Sequence, residues 1–122
     1  PLTSPEEYQR AFTAYEEHVI QGEYDSLMGV NLLKEYLWTQ EGALNYDASK
    51  GHVYSQHLPN IYRLTNSIHI RNRSSILSER YHTGSHPYKL VLSKLACIHI
   101  DEQEDYDMAL ALYPLYQRMI RE

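Results

Sequence analysis

Seven histidines, one cysteine and a run of arginines are the residues of this 122-residue chain with the most chemistry to offer. His52 with His57, and His82 with His86, are the closest histidine pairs. A spacing of four would put His82 and His86 on one helical face, but Gly84 and Pro87 argue against a helix there. Neither pair encloses the glutamate of a zinc-protease motif. Cys97 is alone, so it cannot form an internal disulfide or supply a thiolate set; in Leu95-Ala96-Cys97-Ile98 it reads as a buried, inert thiol. His99, on an apolar stretch, reads as a hydrogen-bonded core histidine. No nucleophile elbow and no phosphate-binding glycine loop is present. Glu16 with Glu17, and the carboxylates from Asp101 to Asp107, read as solvated helix surfaces, because an acid–base pair needs burial to separate its pKa values. The sequence thus indicates no catalytic residue, no cofactor site and no metal ligands, and it leans against an enzyme.

Charge is strongly segregated. From Pro1 to Ser49 nine acidic residues face two basic ones, Arg10 and Lys34. From Leu58 to Lys94 six basic residues face only Glu79, and from Leu95 onward six acidic residues face Arg118 and Arg121. Arg63, Arg71, Arg73, Arg80, Tyr81 and Lys89 are therefore the candidate contacts for a partner or an anion, with tyrosine among the cations as a stacking surface. The bland alternative is that this basic segment neutralises the two acidic ones within a single fold. The net charge of −5 slows approach to a polyanion.

The elements that must position these residues read as helices. Ser4, Pro5, Glu6 and Glu7 carry helix-start signals, and Tyr8, Phe12, Tyr15 and Val19 form one stripe behind them, with Gly22 as the stop. The apolar run from Glu23 to Trp38 predicts a deeply buried second helix. Glu41 to Gly51 reads as a loop. Leu58, Ile61, Leu64, Thr65 and Ile68 fit a third helix, Pro87 through Ala96 a fourth, and Tyr106 through Ile120 a fifth, kinked at Pro114. Phe12, Leu27, Leu33, Leu37, Leu92, Leu95, Ala109 and Leu110 are the expected core.

Gln21-Gly22-Glu23-Tyr24-Asp25-Ser26-Leu27 is echoed by Gln103-Glu104-Asp105-Tyr106-Asp107-Met108-Ala109. Each half-unit resembles the turn and second helix of a tetratricopeptide repeat, which would imply stacked helical hairpins. Tyr24 and Tyr106 are not separated by a multiple of the ~34-residue repeat.

These patterns predict an all-α fold of about five helices, in a compact bundle or stacked helical hairpins, as a single helical domain over residues 1–122. The alternative is α+β, with short strands near Ile68-Ile70 and Ile98-Ile100. Composition is that of a globular chain, with 43 % hydrophobic and 22 % charged residues. No stretch is apolar enough for a membrane span, Pro1 to Glu7 lacks signal-peptide features, and a lone cysteine suits a reducing compartment, so the sequence points to a soluble cytoplasmic protein. Twelve tyrosines against one Phe and one Trp suit half-buried rims and interfaces. By elimination the leading function is a non-enzymatic helical protein–protein interaction module of the adaptor, inhibitor or chaperone-like kind. Its partner would be another protein, and a homo-oligomer is open. The second reading is a nucleic-acid-associated protein using Arg63 to Lys94; the third is a small enzyme whose site is assembled from residues distant in sequence.

Overall fold

Ser26–Leu33 is a β-strand (β1), not the helix its apolar run suggests. The computed structural model describes residues 1–122, and it places β1 in the middle of a mixed three-stranded sheet of order β4-β1-β5, where β4 is Ile61–Ile70 and β5 is Pro87–Val91. A strand hydrogen-bonded on both sides and covered on its faces has no reason to alternate polar with apolar residues, so its sequence reads like a buried helix. Gly29 tips the balance: it is unfavourable in a helix, whereas here its missing side chain makes room for Leu92 and the Thr65 hydroxyl. Thr65 donates that hydroxyl to the Gly29 carbonyl at 2.9 Å.

The all-α bundle is therefore not formed. The fold is α+β, with 39 % helix and 22 % strand. The three α-helices are α1 (Pro5–Tyr15), α2 (Arg73–Glu79) and α3 (Gln103–Arg121). The segments expected as third and fourth helices contribute β4 and β5, whose Ile, Thr, Tyr and Val content suits a pleated strand. Ile68-Ile70 ends β4, while Ile98-Ile100 is irregular rather than a strand. The echoed segments also differ, since Gln21–Leu27 runs into a strand and Gln103–Ala109 opens a helix. No helix is long and apolar enough to cross a membrane.

Two compact units divide the chain: Pro1–Asn31 with Leu64–Glu122, and Leu32–Arg63. In the larger unit, β5 runs parallel to β1 in a register pairing Leu27 with Tyr88 and Val30 with Val91. Ala11 and Ala14 of α1 lie in one apolar cluster with Leu27, Ile68, Leu90, Leu92, Ala96 and Cys97. Their small side chains let the helix sit close to the sheet. Ser4 caps α1, accepting from the Glu7 amide at 3.2 Å. Glu7 is itself buried, and its carboxylate accepts from the Ser4 hydroxyl and from both the amide and hydroxyl of Ser93, tying the helix start to the chain beyond β5. At the other end of the β1–β5 pair, the Asp25 carboxylate accepts from the Ser26 hydroxyl, the Ser85 hydroxyl and the His86 amide. A side chain at Gly84 would collide with that carboxylate.

The smaller unit contains the hairpin of β2 (Trp38–Thr39) and β3 (Gly42–Ala43). Polar side chains hold it. The buried Asn45 accepts from the Leu37 amide and donates to the Glu35 carbonyl, the Tyr36 phenol donates to the Val53 carbonyl, and Lys34 donates to the Leu58 carbonyl at 2.6 Å.

Of the expected core, Leu27, Leu92, Leu95 and Ala109 are buried, Leu33 and Leu37 are half-buried, and Phe12 and Leu110 face water. Phe12 is 64 % exposed because the alanine stripe, not the aromatic one, meets the sheet. Leu27→Ala should cost about 2–5 kcal/mol. Glu7→Ala, which strands the Ser93 donors, should cost about 2–3 kcal/mol. Phe12→Ala should stay within about 0.5 kcal/mol in dilute solution. Urea unfolding midpoints measure all three, and a Phe12 variant as unstable as the Leu27 one would contradict this packing.

Candidate functional site

The six candidate contacts do not form one surface. Arg63 belongs to the smaller unit. Lys89 lies exposed on β5, at the sheet edge opposite β4. Arg71, Arg73, Arg80 and Tyr81 surround α2, the seven-residue helix of about two turns that follows β4. Asn72 caps this helix, accepting from the Ser75 amide at 2.8 Å, and Arg80 ends it in the left-handed region at φ 55°. Arg73, Arg80 and Tyr81 are exposed, but Arg71 is not available in the same way. Its side chain is only 4 % exposed, it donates to Glu79 at 2.6 Å and it also donates to the Tyr81 carbonyl. Its charge is thus used internally, to close the loop around α2.

Beside Arg71 the structure brings together a histidine pair that spacing does not reveal. His69, two residues earlier on β4, meets His82 with ring centroids 3.9 Å apart, and Tyr81 stacks on His82 at 4.4 Å. Neither ring nitrogen of His69, nor Nε of Arg71, makes a well-formed hydrogen bond although all three atoms are buried. Burial pushes the His69 pKa below its ordinary value of 6.5, the facing His82 adds to the shift, and the Thr65 backbone partly opposes it. The other histidines disperse: His86 stacks on Tyr24, His52 on Tyr36, and His99 is exposed and pairs with Asp101 at 3.0 Å rather than entering the core. No group of three or more His, Cys, Asp or Glu side chains converges on a metal-sized site.

Two of the shallow grooves along α1 face β-strands, and a third, of about 280 Å³, lies between its first turns and Met119 and Ile120 of α3. One, of about 330 Å³, lies between its polar row (Glu6, Gln9, Arg10, Thr13, Glu17) and Tyr88 and Leu90 of β5. The His18 ring lies flat on Tyr88 at 4.0 Å, Tyr24 meets Tyr88 edge-on at 5.2 Å, and His86 covers Tyr24. The other, of about 210 Å³, lies between Tyr8, Ala11 and Phe12 and residues 67–70 of β4. In the second groove the Ser67 hydroxyl donates to the Ala96 carbonyl.

The largest unexplained feature is apolar. α3 runs uninterrupted through Pro114, and of its nineteen residues only Ala109 is buried. Tyr116 anchors it by donating to the Thr3 carbonyl at 3.2 Å. Tyr106, Leu110 and Tyr113 form one exposed row beside Ala109, and Met108, Leu115 and Met119 form another on its far side. Helical periodicity made this stripe visible in the sequence but not which side of it is covered. No protein family and no curated protein sequence matches this chain.

His69 sets the pH dependence. Its folded pKa is depressed, so the unfolded chain takes up the proton first; stability is unaffected above about pH 6.5 and falls as pH drops below it. The urea midpoint of the wild type should therefore decline between about pH 7 and 5 more steeply than that of His69→Gln. Parallel slopes would show that His69 is not the buried neutral group described.

Proposed function

We propose that this chain is a protein–protein interaction domain of α+β fold that docks its partner through the apolar flanks of α3. One observation carries the reading: Tyr106, Met108, Leu110, Tyr113, Leu115, Met119 and Ile120 are 39–59 % exposed on a single helix. Isolated exposed apolar residues are normal, but rows of them on one element mark a contact surface. Their types fit that use, since tyrosine and methionine are enriched where proteins meet and methionine adapts to irregular surfaces. The exposed Asp107 and Arg118 lie between the two rows on the side opposite Ala109, while Glu104 and Arg121 stand at the ends of the rows.

Both substituted positions are exposed, so Leu110→Asp with Met119→Asp should leave thermal stability within about 0.5 kcal/mol of wild type. The same double variant should lose proteins that wild type retains in affinity capture from native lysate, with nuclease treatment making no difference. An identical set of partners on the double variant would overturn the reading. Loss of every partner on nuclease treatment would replace it by nucleic-acid association through the Arg63 to Lys94 segment.

A further inference from the structure

We infer that the open edge of β4 pairs with a second copy of this chain, antiparallel about a two-fold axis, joining the two three-stranded sheets into one. The two edges of the sheet are built differently. β5 is guarded: it has five residues and opens on Pro87, which has no N–H to offer. His86 and Leu92 direct their backbone groups to β1, so by alternation Pro87, Lys89 and Val91 face outward. There, Lys89 is exposed and the Val91 carbonyl already accepts from Arg10 at 3.2 Å. Beyond the exposed Arg63 near its start, β4 carries none of these devices. It is twice as long, with ten residues, and Leu64 to Ile70 contains no proline, no glycine and no formal charge. Long, uncharged edges invite another strand.

The surroundings of that edge suit an added strand. Four successive residues, 67–70, line the groove beside α1, and because strand side chains alternate between faces, such lining is what a groove following the strand backbone shows. Its far wall is Tyr8 and Phe12, 44 % and 64 % exposed. A helix beside an open strand is the arrangement used when an extended segment augments a sheet.

The occupant is identified by what the edge tolerates. An antiparallel self-pair can set Leu64 opposite Ile68, Thr65 opposite Ser67 and Asn66 opposite its own copy, each pair sharing one face of the pleat, so no like charges meet. Alternate side chains of the incoming strand then reach Phe12 and Tyr8. The same operation repeats the contact on the other copy, which closes the assembly at a dimer. This surface is distinct from the rows on α3.

Sedimentation equilibrium of the full chain tests the proposal, with Asn66→Lys and Phe12→Ala, both exposed positions, and Leu110→Asp as the control on α3. Wild type and Leu110→Asp should dimerise at micromolar concentration. Asn66→Lys should raise the dimer Kd at least about tenfold with unchanged circular dichroism. Phe12→Ala should weaken the dimer in the same direction. Amide exchange on wild type gives a readout free of substitution: residues 64–70 should become more protected as protein concentration rises. A wild type that stays monomeric at millimolar concentration overturns the inference. So does a dimer that survives Asn66→Lys and is lost in Leu110→Asp, or protection that ignores concentration.

Discussion

Keeping β1 dry is the constraint that the larger unit answers. Leu27 and Val30 have no contact with water, and burying a side chain of that size contributes about 1.5–3 kcal/mol each. A central strand can be buried only if its backbone is fully hydrogen-bonded, which demands β4 on one side and β5 on the other. The parallel partner does not follow by a tight turn, so the ends of the β1–β5 pair must be joined by other means. Two carboxylates do this. Asp25 holds the start of β5 through the 84–86 loop, and Glu7 holds the chain that leaves it through Ser93. Burial works against the charge of Asp25, yet the hydrogen bonds from Ser26, His86 and Ser85 outweigh it and hold its pKa below the usual carboxylate range.

Covering the sheet closely has a consequence for the surface. Because α1 approaches on Ala11 and Ala14, its larger side chains Tyr8 and Phe12 are turned outward. A domain this small has little interior to offer, and much of its apolar surface must remain at the boundary. Tyrosine suits that boundary, since its ring packs while its hydroxyl stays hydrated or finds a carbonyl, as Tyr116 does with Thr3 and Tyr36 with Val53.

How legible this was in the sequence depended on whether a signal was local. The start of α1 was readable because Ser4, Pro5 and the glutamates act within one turn. α3 was readable because its periodicity persists over many turns. β1 was not, since burial on both faces erases the period that separates strand from helix. Tertiary placement was illegible for a different reason. Phe12 and Leu110 sit on stripes that look like core, and only the packing partner decides which edge of a stripe is covered. For the candidate contacts, sequence proximity gathered six residues, but the fold distributes them over the β5 edge, the α2 loop and the smaller unit. The His69–His82 contact, thirteen positions apart across α2, left no trace in spacing.

Function is best sought in what the fold does not consume. The carboxylates with well-defined partners are structural: Glu7 and Asp25 clamp the sheet, and Asp105 caps α3 by accepting from the Asp101 and Glu102 amides, which lower its pKa. The most buried cation, Arg71, is neutralised by Glu79. Burial drives His69 toward its neutral form, where it bears no charge for a ligand to meet. The buried polar atoms left without a well-formed hydrogen bond are the two ring nitrogens of His69 and Nε of Arg71. What else remains without a partner is apolar area on α3 and an unguarded strand edge beside Phe12. On the readings proposed above, a second macromolecule covers both.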